Sequence, residues 1–584
     1  MKVSAFAVAA IAQTVAVQAS SAHRFYEHAA NATNGNATSN GNCYCFPGDA
    51  CWPSESTWAA LNTTTSGRLI ATTPIGSPCH APNYDEAACA AIQSAWTGPQ
   101  IHLSSSSSVM TPFFANQSCD PFTPQTQACL LGNYVRYAVD VQTVDDIVAG
   151  VKFAADNNVR FVVRNTGHDF LGRSTGAGAL SVWTHNLKDI DFIDNYSDKF
   201  YTGKAAKVGA GVLGYEMLTA AKAKGVVVVS GTCPTVGLAG GYTQGGGHSA
   251  LSTSFGLAAD QTLSFDVVTA AGKLVTASRT KNSDLYWALS GGGGGNYGIV
   301  TSMTVKTHPD AKIGGASLQL STAYTTKDTF YSVVSEFHRL LPDMVDAGTM
   351  VVFVISSTFL QISPVTGYNK TADEMKAIMA PFVAVLNAKN VPFAATYTEF
   401  DSYYDHYAQY MGPLPMGHVL VEEYQFASRL LPRSVIKNNN DGIQAVLRNA
   451  TQGGAMILGL GLDVSKPGDV DNAVLPAWRD ALIHSTFVTI WDSTAPWSSM
   501  VADQDKLTNV WNPALKALTP GSGSYMNEAD YREPDFQTNF FGANYEKLLA
   551  IKKKWDPKAL FYATVGVGSE FWEIKQDGHM CRIE

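Results

Sequence analysis

The chain has 584 residues, 46% hydrophobic and 15% charged, with a net charge of −9. That balance describes a well-packed protein of two or more domains and counts against a disordered chain. The acidic surplus and lack of basic runs count against nucleic-acid or anionic-membrane partners, and past the N-terminus no apolar stretch approaches the roughly 20 residues that span a bilayer.

Residues 1–19 read as a secretory signal: Lys2 is the positive start, Val3 to Val17 the apolar segment, and Val17-Gln18-Ala19 or Ser20-Ser21-Ala22 the cleavage site. Seven Asn-x-Ser/Thr sequons, at Asn31, Asn36, Asn62, Asn116, Asn195, Asn369 and Asn449, fit a secreted, extracellular protein with N-linked glycans at some of them. Nine cysteines in an oxidising compartment leave one thiol over. Seven fall before residue 130, Cys581 closes the C-terminus, and Cys233 stands alone in a glycine-rich loop. Setting Cys233 aside gives four disulfides, with Cys581 stapled to the N-terminal cluster. The alternative, Cys233 paired and another thiol free, stays open because connectivity does not follow from sequence.

Residues 20–125 form the disulfide-rich N-terminal region. It begins with a polar arm to about residue 42, and its loop-rich remainder is anchored by Trp52 and Trp58. Ser104 to Ser108 reads as an exposed loop. From 126 to 310 the pattern is regular. Thr143 and Asp146 make a capping-box variant ahead of Ile147, Val148, Val151, Ala154 and Ala155 at helical spacing. Arg160 to Val163 is a short strand running into Arg164-Asn165-Thr166-Gly167-His168-Asp169-Phe170-Leu171-Gly172-Arg173-Ser174. Val226 to Val229 is another, running into Gly231-Thr232-Cys233-Pro234-Thr235-Val236-Gly237 and on to Gly247. Strands emptying into glycine loops suit a cofactor site, because glycine lets backbone N–H groups approach a diphosphate closely. Leu263 to Val268 is a further strand, and Ser283 is expected to cap a helix over Asp284 to Leu289. Residues 311–520 mix helices (Asp328 to Leu341, Ala372 to Lys389) with strands (Thr349 to Ser356, Met456 to Leu462). This is an α+β substrate domain, an antiparallel sheet with helices on one face. In 521–584 the helix Tyr545 to Trp555 stops at Asp556-Pro557.

Gly176-Ala177-Gly178 has Ser181 where a dinucleotide fingerprint needs its third glycine, and no phosphate-loop Gly-Lys-Ser/Thr occurs. A nicotinamide dehydrogenase or nucleotide hydrolase is therefore not expected. The segments RNTGHD, SGTCPTVG, GGYTQGGG, FGLAAD, DLYWALSGGGGGNYGIV, YMNEAD and WDPKALF instead resemble the berberine bridge enzyme-like FAD-linked oxidases, of the vanillyl-alcohol oxidase superfamily with its PCMH-type FAD-binding domain. The resemblance spans about 120 to 310 and resumes near 520. It implies a two-lobed FAD-binding domain, to which 521–584 returns, and a bicovalent FAD bonded by His168 at the 8α-methyl and by Cys233 at C6. It also implies that Arg164, Asn165, Gly167, Asp169, Gly172, Arg173 and Ser174 cradle the diphosphate. Gly237, Gly240, Gly241, Gly245, Gly246 and Gly247 would pass close to the ribityl chain and ring, with Asn296, Gly298, Ile299 and Val300 toward the adenine and Asn527 on the flavin. Val236 falls at the family's small oxygen-gate position, which favours oxidase over dehydrogenase.

Tyr242, His248 and Ser249 depart from the family pattern near the ring face. Tyr525, in a Tyr-x-Asn pattern with Asn527, is the implied catalytic base, and its phenol needs a neighbouring charge or hydrogen bond to act near neutrality. His418, Glu422, Glu423 and Tyr424 read as one strand-like run, whose alternation puts Glu422 and Tyr424 on one face. Glu422 is the second catalytic candidate, against the reading of a solvated carboxylate. The expectation is a monomeric oxidase taking a hydride from an alcohol, carbohydrate, secondary metabolite or amine and reducing O2 to H2O2. Its rivals are a dehydrogenase with a quinone-type acceptor and a flavin-binding protein whose chemistry has lapsed.

Overall fold

The computed structural model describes residues 42–468 and 470–583. The expected signal segment, the polar arm and the sequons Asn31 and Asn36 lie outside the described residues.

Two sheets carry the glycine loops. In the first, Tyr137–Asp140, Leu180–Trp183 and Phe161–Arg164 run parallel, with Leu69–Ala71 antiparallel on one edge. The helix Val144–Asp156 makes the crossover a parallel pair requires. Its start is fixed by Asp146, whose Oδ2 accepts the Thr143 backbone N–H at 2.9 Å, as the capping-box reading anticipated. Trp58 is buried against Trp52, Tyr137 and Phe153, which ties the N-terminal region to this sheet. The second sheet is antiparallel, ordered Ile190–Ser197, Thr202–Gly209, Ile299–Lys306, Thr262–Val268, Leu274–Ser278. Tyr545, Leu548 and Ile551 of the helix Tyr545–Trp555 pack into the same core as Phe265, Val300 and Met303. Buried Lys552 reinforces that return by donating to the carbonyls of Asn296 (2.8 Å) and Phe561 (2.6 Å) while paired with Asp556.

The third sheet has seven antiparallel strands, ordered Ala394–Phe400, Ile313–Ser321, Phe359–Tyr368, Thr349–Ile355, Met456–Gly461, Ala481–Ile490, Tyr424–Pro432. Helices Lys327–Asp346, Ala372–Ala388, Arg433–Gln452 and Asn512–Leu518 cover one face. The pleat decides which residues they meet. Val351, Phe353 and Ile355 join Phe337, Leu341 and Phe382 in the core, whereas Val352 and Val354 point the other way. Each core side chain so buried contributes about 1.5–3 kcal/mol, so the register cannot slip by one residue without inverting the sheet.

Four disulfides form: Cys43–Cys581, Cys45–Cys51, Cys79–Cys89 and Cys119–Cys129, and Cys233 is free. Several expectations need correction. Ser106 to Ser108 are buried, because Ser108 Oγ lies 2.7 Å from Nδ1 of buried His102. Asn282, at φ +48°, takes the N-cap position expected of Ser283, which is instead the first helical residue. The strand before the Cys233 loop is only Val226–Val227. Residues 418–423 are not strand: pairing begins at Tyr424, and Glu422 sits at φ +61°.

Candidate active site

The strand Phe161–Arg164 turns directly into the His168 loop. Arg164 does not face outward as a diphosphate ligand would. Its buried Nη2 donates to the carbonyls of His102 (3.3 Å), Ser105 (3.3 Å) and Thr166 (3.4 Å), and burial pushes the guanidinium down to about 10. Gly167 passes over it at φ +87°, where a Cβ would lie 2.5 Å from the guanidinium. Arg164 is thus the bed of the loop rather than its surface. Asp169 staples the far side: Oδ1 accepts Leu171 N (3.1 Å), while Oδ2 accepts Ser174 N (3.2 Å) and Arg173 N. Arg173 then donates to Thr564 O (3.0 Å) and Met526 O (3.1 Å), fixing the segment around Tyr525 beside this loop.

The second loop meets the first at one hydroxyl. Thr235 Oγ1 lies 2.8 Å from His168 Nε2 and 3.4 Å from Cys233 Sγ. Burial, with His102 and Arg164 nearby, pushes the His168 imidazole down to about 3, so it is neutral and nucleophilic at neutral pH. Burial raises the Cys233 thiol against the hydrogen bonds of Thr235 and Val236. Gly237 runs so close to Asn165 that a Cβ there would lie 2.8 Å from Nδ2, and that amide donates to Ala210 O at 2.6 Å.

Between the loops and the uncovered face of the seven-stranded sheet lies a cavity of about 490 Å³. The loop side includes Asn165, Gly167, His168, Asp169, Arg173 and Ser174 from the first loop. It takes Cys233, Val236, Gly237, Gly240 and Gly241 from the second, then Gly298 and Val300. The sheet side presents Val352, Val354, Leu458, Leu460, Thr486 and Val488. Tyr242, His248, Tyr525, Asn527 and Glu528 stand where the two sides meet.

Glu528 is the electrostatic centre. His248 Nε2 donates to one carboxylate oxygen (2.8 Å) and His484 Nε2 to the other (2.9 Å). Burial alone would raise the carboxyl, but the two histidines hold it well below the ordinary carboxylate range. Burial lowers His484 in turn, against the pull of Glu528. Tyr525 Oη accepts from Asn527 Nδ2 at 2.8 Å, and burial together with Glu528 pushes the phenol far above its ordinary range. A neighbouring carboxylate is the wrong charge to make that phenol a base. The three ligand atoms lie within 4.8 Å of one another, compact enough for a cation. However, Nδ1 of both histidines is buried and, among the described residues, lacks the outer partner that ligating histidines carry.

The chemistry of the cavity fits FAD. Asn165 Oδ1, Arg173 Nη2 and Gln244 Oε1 are buried with no partner among the described residues, on side chains that line it. Unmet donors and acceptors beside backbone without Cβ atoms suit a polar, phosphate-bearing group. Residues 135–278 match the model of the FAD binding domain, and residues 524–568 that of the berberine and berberine-like family. The FAD-linked oxidoreductase ZEB1 of Gibberella zeae is 52% identical over 94% of this chain and 96% of its own. The chain belongs to the berberine bridge enzyme-like FAD-linked oxidoreductases.

Within that family the VAO-type flavoprotein VAO615 of Myceliophthora thermophila has a crystal structure that superposes at a TM-score of 0.89. It is 40% identical, covering 93% of this chain and all of its own. Glucooligosaccharide oxidase of Acremonium strictum shares the fold at a TM-score of 0.63 and 22% identity, over 74% of this chain and 91% of its own. That oxidase carries a 6-S-cysteinyl, 8α-N1-histidyl FAD.

Not every residue read from the sequence reaches the cavity of this oxidoreductase. Gly172, Gly245, Gly246, Gly247, Asn296 and Ile299 do not line it. Gly247 O accepts Ala258 N (2.8 Å), and Asn296 O accepts the Lys552 ammonium. Glu422 is a correction. It is neither solvated nor in the cavity: its backbone N–H goes to Met110 O (3.0 Å), and its carboxyl is buried on the N-terminal region's side. Burial and the nearby Asp120 push that carboxyl up. The alternation that oriented it presupposed a strand that starts two residues later. Glu528, His484 and Thr235 carry no signal of their own in sequence; Glu528 merely follows the Tyr-x-Asn pattern, and His248 shows only as a departure.

Proposed function

We propose that the protein is a secreted FAD-dependent oxidase that holds its flavin by two covalent bonds, from His168 and Cys233, and oxidises a hydroxyl-bearing small molecule with O2. The carrying observation is that both nucleophiles line one cavity and share the Thr235 hydroxyl. With Nε2 engaged by Thr235, Nδ1 is the imidazole nitrogen left to attach, and the paired cysteinyl and histidyl bonds of the Acremonium enzyme are the precedent. Bound there, FAD supplies a two-electron acceptor for a carbinol hydride and passes the electrons to O2 as H2O2.

The protein's part is to place the alcohol and take its proton. Glu528, ionised between two histidines, is the proton acceptor, with His248 its partner at the cavity wall; because those histidines lower its basicity, its contribution falls at the low end of the about 10²–10⁴ in rate that general-base catalysis supplies. Tyr525, kept protonated, donates a hydrogen bond rather than accepting the proton. Asn165, Arg173 and the loop glycines hold the cofactor. Val236, small and on the cavity, leaves room for O2, which favours an oxidase over a dehydrogenase.

Secretion is supported by four disulfides and by Asn195, Asn369 and Asn449, which are exposed as glycan acceptors must be. No described helix is long and apolar enough to cross a membrane. The test is acid unfolding of purified protein followed by filtration. The yellow colour should stay with a polypeptide heavier by one flavin, the single variants His168→Ala and Cys233→Ser should each retain one bond, and the double variant should release it. Peroxide formation matching oxygen uptake identifies the acceptor.

A further inference from the structure

We infer that the substrate is a neutral, largely apolar alcohol that lies with its body on the uncovered face of the seven-stranded sheet and its hydroxyl at Glu528, rather than a carbohydrate or an amine. This rests on the oxidase reading above and names the substrate class of the same site.

Strand register assembles the apolar surface. Val352 pairs with Leu460, and Leu460 with His484; Val354 pairs with Leu458, and Leu458 with Thr486; Met456 pairs with Val488, and Val488 with Phe426. These rungs put seven apolar side chains side by side; the first runs on through His484, of the base cluster, to Leu430, and the second through Thr486 to Ser428. Every one of the seven lines the cavity. Among the described residues of this face that line the cavity none brings a carboxylate, amide or guanidinium; the amide of Gln361, which pairs with Val354, is exposed and outside the lining. The opposing wall, formed by the two loops, is the side the cofactor would occupy, so a substrate meets the sheet face on one side and the Glu528 and His248 cluster at its edge.

A carbohydrate would bring several hydroxyls against that face, where the cavity-lining hydroxyls are those of Thr486, Ser363 and, at the sheet edge, Tyr424. Each hydroxyl buried unpaired costs about tenfold or more in affinity. An apolar ring or chain leaves nothing unpaired there and removes half-buried Val354, Met456 and Leu458 from water. An ammonium would need a free anion. Both Glu528 oxygens already accept from histidines, and both Asp169 oxygens accept from their own loop. A neutral hydroxyl, by contrast, can enter the Glu528 and His248 cluster without displacing an ion pair.

The probes are 1-(2-naphthyl)ethanol, its amine counterpart 1-(2-naphthyl)ethylamine, and cellobiose. Binding to purified holoprotein is measured by calorimetry under anaerobic conditions, and turnover by bleaching of the flavin. The naphthyl alcohol should bind at least about tenfold more tightly than either other probe, and Leu458→Gln should weaken it by about tenfold with flavin content unchanged. Equal or tighter binding of cellobiose or the amine overturns the inference, as does no detectable binding of the alcohol. Should Leu458→Gln fold poorly, Val488→Thr, close in volume, serves as the second variant, and the wild-type ranking stands without either. Binding of the alcohol without bleaching would sink the oxidase reading while leaving the apolar site in place.

Discussion

His168 Nε2 lies 2.8 Å from Thr235 Oγ1, a contact that joins two glycine loops 67 residues apart. The same hydroxyl is 3.4 Å from Cys233 Sγ, so one side chain sets the spacing of both nucleophiles. Thr235 is fully buried and has no freedom to serve them at other distances. Thr235→Val keeps the shape and removes the hydroxyl. Losing one such bond is worth about 1 kcal/mol, so flavin incorporation into apoprotein should slow by several-fold up to about tenfold. Thr235→Ser should restore it. Incorporation at the wild-type rate in Thr235→Val would show that the hydroxyl is a bystander.

The two attachment chemistries should separate with pH. His168 sits near pKa 3, so its neutral, attacking form is fully populated throughout the range in which the protein is handled. The Cys233 thiol is raised by burial, so its thiolate fraction grows about tenfold per pH unit across neutrality. In Cys233→Ser, flavin attachment should be nearly flat from about pH 5 to 8, whereas in His168→Ala it should climb steeply. Stopped-time acid quenching followed by mass measurement reads both. A flat profile in His168→Ala would mean that something other than the thiolate limits that bond.

Catalysis should depend on Glu528 more than on Tyr525. Glu528→Gln removes the anion while preserving size and should cut kcat by about 10². Tyr525→Phe removes only a hydrogen bond and should cost about tenfold. His484→Gln takes away one of the two histidines that keep the carboxylate ionised. The Glu528 pKa should then rise, and the acidic limb of the kcat/KM profile should move to higher pH. If Tyr525→Phe is the more damaging change, or the acidic limb of His484→Gln stays put, the base is assigned to the wrong residue.

What could be read in the sequence, and what could not, follows the range of the physics involved. The helix from Val144 and the strands entering the loops declare themselves through nearest neighbours, as do Cys581's return to the N-terminus, through cysteine parity, and the helix-covered sheet, through its change of texture. Thr349–Ile355 was legible as a strand, but that Val352 and Val354 face a cavity was not, because the segment is apolar on both faces and the opposing wall comes from distant loops. The Glu528 cluster joins residues 248, 484 and 528, and no local pattern marks His484 on a strand buried along nearly its whole length. The serine run misled because one buried histidine, His102, turns a polar loop inward. Glu422 misled because a periodicity rule was applied to a segment whose positive φ breaks the period.

Asp530 gives a stability signature independent of the flavin. Its carboxyl is buried; Oδ1 accepts from Gln504 Nε2 (3.0 Å) and Arg532 N (2.8 Å), while Oδ2 is without a partner among the described residues. Burial, with Glu533 nearby, outweighs the Thr508 hydroxyl, the Arg532 N–H and the Arg532 charge, pushing the group up to about 6 from its ordinary 3.8. An acid raised on folding binds its proton more tightly in the folded state. Its stabilising contribution is therefore complete below about pH 4 and is lost as pH rises toward 6, in total on the order of 2–3 kcal/mol. Asp530→Asn is neutral at every pH and lacks this loss. The Tm of the variant relative to wild type should accordingly rise by about 2 °C between about pH 4 and 7. Parallel Tm curves for the two proteins over that interval would mean that the carboxyl is already ionised at the acid end and that Arg532 and Gln504 compensate its burial.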